Sequence, residues 1–93
     1  MEYSVVPVET FEKSISKLDR EVSRRVLQKL EWLAMHPTSL PAPMGGLPKD
    51  WAGLTKTRVG DWRVFYRVEH TKKEVRPYFV LHRDEGYEWM YQK

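Results

Sequence analysis

The stretch Leu54-Thr-Lys-Thr-Arg-Val-Gly-Asp-Trp-Arg-Val-Phe-Tyr-Arg-Val68 sets two runs of β-branched and aromatic residues on either side of Gly60-Asp61. Glycine at the first central position tolerates the positive φ of a type II′ turn. The stretch therefore reads as a hairpin of strands Leu54–Val59 and Trp62–Glu69. A two-residue turn fixes the register: Val59 faces Trp62, Arg58 faces Arg63, Thr57 faces Val64 and Lys56 faces Phe65. Because side chains alternate, one face presents Val59, Trp62, Val64, Tyr66 and Val68, and the other presents Lys56, Arg58, Arg63, Phe65 and Arg67. The first set is the core face. A third run, Glu74–His82, follows the short connection His70–Lys73 and pairs back on the second.

Upstream, Tyr3–Val8 has the composition of a short strand, and Pro7, which cannot donate to a ladder, puts it near an edge or a strand end. Thr10 is an N-cap candidate for a first helix carrying Phe11, Ile15 and Leu18 at helical spacing. Asp19 can cap a second helix reaching about Ala34, with an apolar stripe of Val22, Val26, Leu30 and Leu33 widened by Leu27 and Ala34, and Pro37 closes it. From His36 to Asp50 four prolines and two glycines permit neither helix nor strand, which leaves a long loop of the kind that is often functional or mobile. The tail Asp84–Lys93, with Tyr87, Trp89, Met90 and Tyr91, is either a short docked helix or a segment that folds against a partner. The order β-α-α-β-β-β gives an α+β fold, an antiparallel sheet packed on an N-terminal helical hairpin, in a single domain spanning residues 1–93.

Ninety-three residues leave no room for a second core, and 41% apolar with 31% charged residues is globular composition. Cysteine is absent, which removes disulfides, thiolate zinc sites and cysteine nucleophiles together. No apolar run approaches the roughly 20 residues that cross a bilayer, and no signal segment opens the chain, so a soluble cytoplasmic protein with no membrane contact is expected. The net charge of +3 is unevenly spread. Between Lys56 and Arg83 eight basic residues stand against three acids, Asp61, Glu69 and Glu74. Such a local field suits a polyanion, with nucleic acid first and a membrane surface second, or is an ordinary solvated face.

Two arginines directly opposite one another destabilise a sheet unless an anion sits over them. Either their side chains splay into water, or they form a phosphate cradle through paired, charge-assisted hydrogen bonds. His82, Arg83 and Tyr87 follow the third run at the end that returns toward Arg63. His82 there is either a half-buried structural residue or a general acid or base. His36, His70 and His82 have no ligand-like spacing, so no metal site and no cofactor are expected. The tryptophans read as core or interface fillers.

With Leu54–Val68 followed by Val80-Leu-His-Arg-Asp-Glu-Gly-Tyr87, the sequence resembles the RelE/ParE superfamily of toxins from type II toxin–antitoxin pairs, over essentially the whole chain. In that superfamily RelE-like members are ribosome-dependent endoribonucleases that cut messenger RNA, and ParE-like members poison DNA gyrase without the nuclease residues. The resemblance implies that Lys56 and Arg58 are basic site residues before the turn and that Arg63 contacts the scissile phosphate. It makes Arg83 the C-terminal catalytic arginine and Tyr87 the aromatic that stacks on or orients the base. RelE has a further lysine two positions before the one matching Lys56; Leu54 stands there in this chain.

The chemistry so implied is metal-free: the ribose 2′-hydroxyl attacks the adjacent phosphorus, with Arg58 and Arg63 stabilising the phosphoryl oxygens and His82 or Lys56 moving the protons. Arg67, Lys72, Lys73 and Arg76 would add RNA contacts. The implied partners are the ribosome, messenger RNA and an acidic RelB-like antitoxin, in a heterodimer or heterotetramer. A gyrase-directed toxin and a binding module without chemistry are the other readings of the same residues.

Overall fold

In the computed structural model, which describes residues 2–86 and 88–91, the hairpin forms in the expected register. β2 (Thr55–Val59) runs antiparallel to β3 (Trp62–Glu69), with Val59 opposite Trp62, Arg58 opposite Arg63 and Lys56 opposite Phe65. Gly60 has φ 60° and Asp61 keeps a negative φ, the type II′ pattern. β4 (Glu74–His82) pairs antiparallel with β3. Its register shifts between Phe65 and Tyr66, where Phe79 and Pro77 are the partners and Tyr78 is the extra residue of a bulge.

β1 is shorter than the Tyr3–Val8 run, covering only Ser4–Val5, and it lies parallel to β4, so the sheet β1-β4-β3-β2 is mixed and not wholly antiparallel. Its ladder continues irregularly toward Pro7, with Val6 N–H donating to Val75 and Val8 N–H to Pro77. A parallel partner demands a crossover, and here the helical hairpin carries the chain from β1 to β2 at the far edge, from which β2 and β3 lead back to β4. α1 (Glu9–Ser16) begins at Val8 with no side-chain cap. Thr10, the cap candidate, instead donates its hydroxyl to the Tyr78 carbonyl at 2.8 Å, and the Ser14 hydroxyl both donates to the Val80 carbonyl and accepts from its N–H. These hydroxyls occupy the stretch of β4 edge that the short β1 leaves open.

α2 (Arg20–Met35) starts as its sequence indicates: the Asp19 carboxylate accepts from Val22 N–H at 3.0 Å. Its residues Val26, Leu30, Leu33 and Ala34 join Phe11 of α1 over Val59, Val64, Tyr66, Val75 and Val80. Leu27 of the expected stripe stays largely exposed. The Tyr66 ring is fully buried in this layer, its hydroxyl has no hydrogen-bond partner among the described residues, and burial pushes its pKa up to about 12.

The second face of the sheet is also covered. Leu54, Phe65 and Met90 are buried together, with Met44, Leu47, Trp51, Phe79 and Leu81 packed around them. Phe65, assigned by alternation to a solvated basic face, is 0% exposed. The segment from Met44 to Gly53, which includes a 3₁₀ turn at Lys49–Trp51, is folded onto this face and anchored by Met44 N–H to the Leu54 carbonyl at 2.8 Å, whereas Leu40 packs on the first core. The tail adopts the docked alternative at its described part: Glu88–Tyr91 is a 3₁₀ turn that plugs Met90 into the second core. Among the described residues no helix is long and apolar enough to cross a membrane.

Candidate active site

The end of the sheet at the Gly60-Asp61 turn gathers the cations that the sequence singled out. Cross-strand pairing sets Arg58 and Arg63 directly opposite one another, one residue pair from the turn, and alternation places both on the face opposite α1 and α2. Neither guanidinium has a hydrogen-bond or ion-pair partner among the described residues. Lys56, two residues before Arg58, shares that face. Arg83 follows β4 in a 3₁₀ turn, Arg83–Glu85, and its N–H donates to the Asp61 carbonyl at 2.8 Å. That bond fastens the end of β4 to the hairpin turn. The Arg83 side chain lies 3.4 Å from Asp61 and 3.7 Å from Asp84.

His82 lies across the sheet from Arg58 and Arg63. It pairs with Trp62, whereas Arg63 pairs with Leu81, so its ring belongs to the helix side of the sheet. There it meets the Trp62 ring edge-on with centroids 4.9 Å apart. Its Nδ1 accepts from Asp84 N–H at 3.2 Å, while the Glu85 carboxylate accepts from the His82 backbone N–H at 2.7 Å, a reciprocal cap on the 3₁₀ turn. The His82 side chain is 30% exposed. Tyr87 lies outside the described residues.

The four expected RNA contacts are removed from the turn. Arg67 is turned onto the loop: its Nε donates to the Ala52 carbonyl at 3.1 Å, one terminal nitrogen donates to the Asp50 carbonyl at 2.8 Å, and the other donates to the Tyr78 hydroxyl at 3.2 Å. The guanidinium also stands 5.1 Å from the Tyr78 ring centre. Lys72 and Lys73 sit in the connection at the opposite end of β3 and β4, about 25 Å away for an eight-residue strand, and Arg76 lies beside Arg67, about 13 Å along the strands from the Arg63 position. Arg76 faces Arg67, and its Nε is buried without a hydrogen-bond partner among the described residues.

Helical spacing puts Arg25 on the solvent face of α2, and its guanidinium lies over the turn, where a Cβ on Gly60 would come 3.4 Å from it. Arg25, Gln28 and Lys29 of α2 line a cleft of about 380 Å³ with Arg58 and Gly60. No local signal reports this proximity, because it depends on how α2 crosses the sheet. The turn is thus collared by cations from three elements, α2, the β2–β3 hairpin and the end of β4. An anion is the ligand such a collar suits.

Residues 6–87 match the sequence profile described as the ParE toxin of type II toxin–antitoxin systems, parDE. The chain belongs to this toxin family. Within the wider RelE/ParE superfamily, its fold is that of solved RelE proteins. The toxin superimposes on a toxin–antitoxin complex, RelBE2, from Mycobacterium tuberculosis with a TM-score of 0.73 at 23% identity, over 87% of this chain and 91% of that one. For the RelE–RelB complex of the archaeon Pyrococcus horikoshii the TM-score is 0.68 at 24% identity, over 92% and 100%. For isolated RelE from Escherichia coli it is 0.69 at 22% identity, over 86% and 83%. No curated protein matches the sequence significantly.

Proposed function

We propose that this toxin is a ribosome-dependent, metal-independent endoribonuclease that cuts messenger RNA at the Gly60-Asp61 end of its sheet. The observation that carries the reading is the Arg58–Arg63 pair, two arginines set opposite one another by the hairpin register and without a side-chain partner among the described residues. A sheet that sets like charges opposite each other bears a cost that an anion bound over them removes. A phosphodiester fits, because its oxygens accept the paired N–H donors of a guanidinium.

In the reaction the ribose 2′-oxygen bonds to the adjacent phosphorus as the bond from phosphorus to the 5′-oxygen breaks. The products are a 2′,3′-cyclic phosphate and a 5′-hydroxyl, and no water is consumed. Arg58 and Arg63 stabilise the charge on the phosphoryl oxygens, and Arg83 adds a third guanidinium from the end of β4. Lys56, on the same face of β2 as Arg58, exchanges the proton of the 2′-hydroxyl or of the leaving oxygen in this scheme. His82, turned to Trp62, has no part in this scheme, and Tyr87 keeps the base-stacking role that the family resemblance implies. The partners are the ribosome and its messenger RNA, with an acidic antitoxin of the RelB type as inhibitor. RelE forms complexes with RelB in the solved structures that share this fold, which supports that assignment.

A gyrase-directed toxin is the second reading. The parDE description of the family profile favours it, as does the placement of the His82 ring on the helix side of the sheet, across from Arg58 and Arg63. Primer-extension mapping of transcripts after induction decides between the two. The nuclease reading expects discrete cuts within translated messages that disappear in Arg63→Ala. Intact transcripts together with DNA damage establish the gyrase reading instead, and neither effect leaves a binding module.

A further inference from the structure

The three arginines at the turn are not equivalent. Arg58 and Arg63 are bare among the described residues, whereas Arg83 already holds carboxylates: Nη1 is 3.4 Å from Asp61 Oδ1 and Nε is 3.7 Å from Asp84 Oδ1. Asp84 has a second attachment, 3.4 Å from His82 Nδ1, and belongs to the capped 3₁₀ turn. Asp61 has a different placement. It is the second residue of the hairpin turn, its carbonyl accepts the Arg83 N–H, and Arg83 is the only ion-pair partner of its carboxylate among the described residues. The turn therefore presents an anion to Arg83 within the collar of Arg25, Arg58 and Arg63.

Resting on the nuclease reading, we propose that Asp61 is a positioning residue that acts through Arg83, holding its guanidinium at the turn in the empty protein and yielding it to a phosphate of the RNA. A carboxylate and a phosphate offer a guanidinium edge the same pair of anionic oxygens, so one substitutes for the other without rebuilding the site. Both side chains of the pair are 59% exposed. An exposed pair of this kind is worth at most about a fivefold factor, so substrate displaces it readily while a lone anion gains less from Arg83 than from a bare arginine. Asp61 thus tunes affinity for the substrate backbone without touching the reacting atoms.

The test is a double-mutant cycle on binding of a labelled 2′-O-methyl oligouridine, which has no free 2′-hydroxyl and cannot be cut, followed by fluorescence anisotropy at fixed low salt. Asp61→Asn keeps the backbone carbonyl that fastens Arg83 and should bind about three- to fivefold tighter than the parent. Arg83→Ala should bind more weakly, and Asp61→Asn should add nothing to it. On a cleavable translated message Asp61→Asn should lower KM and leave kcat unchanged. An equal gain in the Arg83→Ala background would mean that Asp61 merely repels the RNA, and overturns the inference. So does Asp61→Asn binding no tighter than the parent, while parental binding and cutting leave the nuclease reading standing. A parent that neither binds the probe nor cuts messages overturns both.

Discussion

Two pairs of arginines face each other across β3. Arg58 opposes Arg63 beside the hairpin turn, and Arg67 opposes Arg76 toward the other end of the strand. In the linear sequence the pairs look alike, each adding like charge to one face of a sheet. Their surroundings separate them. Arg67 spends its donors on two loop carbonyls and a tyrosine hydroxyl, so its charge is absorbed into the fold. Arg58 and Arg63 have no such outlet among the described residues. The same residue type is a structural clamp where backbone oxygens converge on it and a ligand site where they do not.

The largest effect expected from this contrast is functional. Arg63→Ala should reduce message cleavage by about 10²–10³-fold, the loss typical of removing one donor to a developing oxyanion. Because it also removes a like-charge cross-strand pair, it should leave thermal stability unchanged or raise it by about 0.2–1 kcal/mol. Cleavage kinetics and a urea melt on the same preparation check both halves. A destabilised Arg63→Ala protein would show that Arg63, like Arg67, has found an internal partner, and the contrast would collapse.

Arg67→Ala should do the reverse. Losing charge-assisted bonds to Ala52, Asp50 and Tyr78 should cost about 2 kcal/mol of stability. Hydrogen exchange should show the loss of protection concentrated between Met44 and Leu54, where the loop is fastened to the second core. Arg67→Lys should recover less than half of the stability, since a single ammonium cannot span three acceptors in a planar fork. Cleavage by the folded fraction should stay near the parental rate, and a kinetic loss as deep as that of Arg63→Ala would place Arg67 in the site after all.

Much of this could be read from sequence because it is encoded locally. Gly60-Asp61 dictates the turn, the turn dictates that Arg58 meets Arg63, and Asp19 with an apolar stripe dictates α2. What escaped was set by distant packing. The proline-rich segment has no period, so nothing marked Met44, Leu47 and Trp51 as the cover of the second face. Phe65, Phe79 and Leu81 on a face otherwise read as basic were the available sign that something apolar lies over it. The fate of Arg67 depends on carbonyls 15 and 17 residues away, which carry no side-chain signature. The side taken by His82 follows from its pairing with Trp62 and was within reach of the alternation rule. Arg25 reaches the turn only through the crossing of α2 over the sheet, a quantity that periodicity does not contain.

Tyr66 is the third case of a polar group judged by its surroundings, and the one with the smallest expected effect. It neighbours Arg67 in β3 but points to the opposite, helix-covered face, where its hydroxyl is buried without a partner among the described residues. At the surface an unpartnered donor is capacity for a ligand; inside, it is only a desolvation penalty, so Tyr66→Phe should stabilise the protein by about 1 kcal/mol at neutral pH. Alkali should widen the gap. Burial raises the Tyr66 pKa from 10.0 to about 12, so between those values the unfolded chain releases this proton while the folded chain retains it. The folded state then binds more protons than the unfolded one, and stability falls as pH rises, by about 1.4 kcal/mol per pH unit from this residue. Tyr66→Phe lacks that component, so its advantage in urea unfolding should be larger at pH 11 than at pH 7. Parallel pH profiles for the two proteins would mean that the hydroxyl keeps its solvation or has a partner, and the distinction between absorbed, bare and orphaned polar groups would fail at its most buried member.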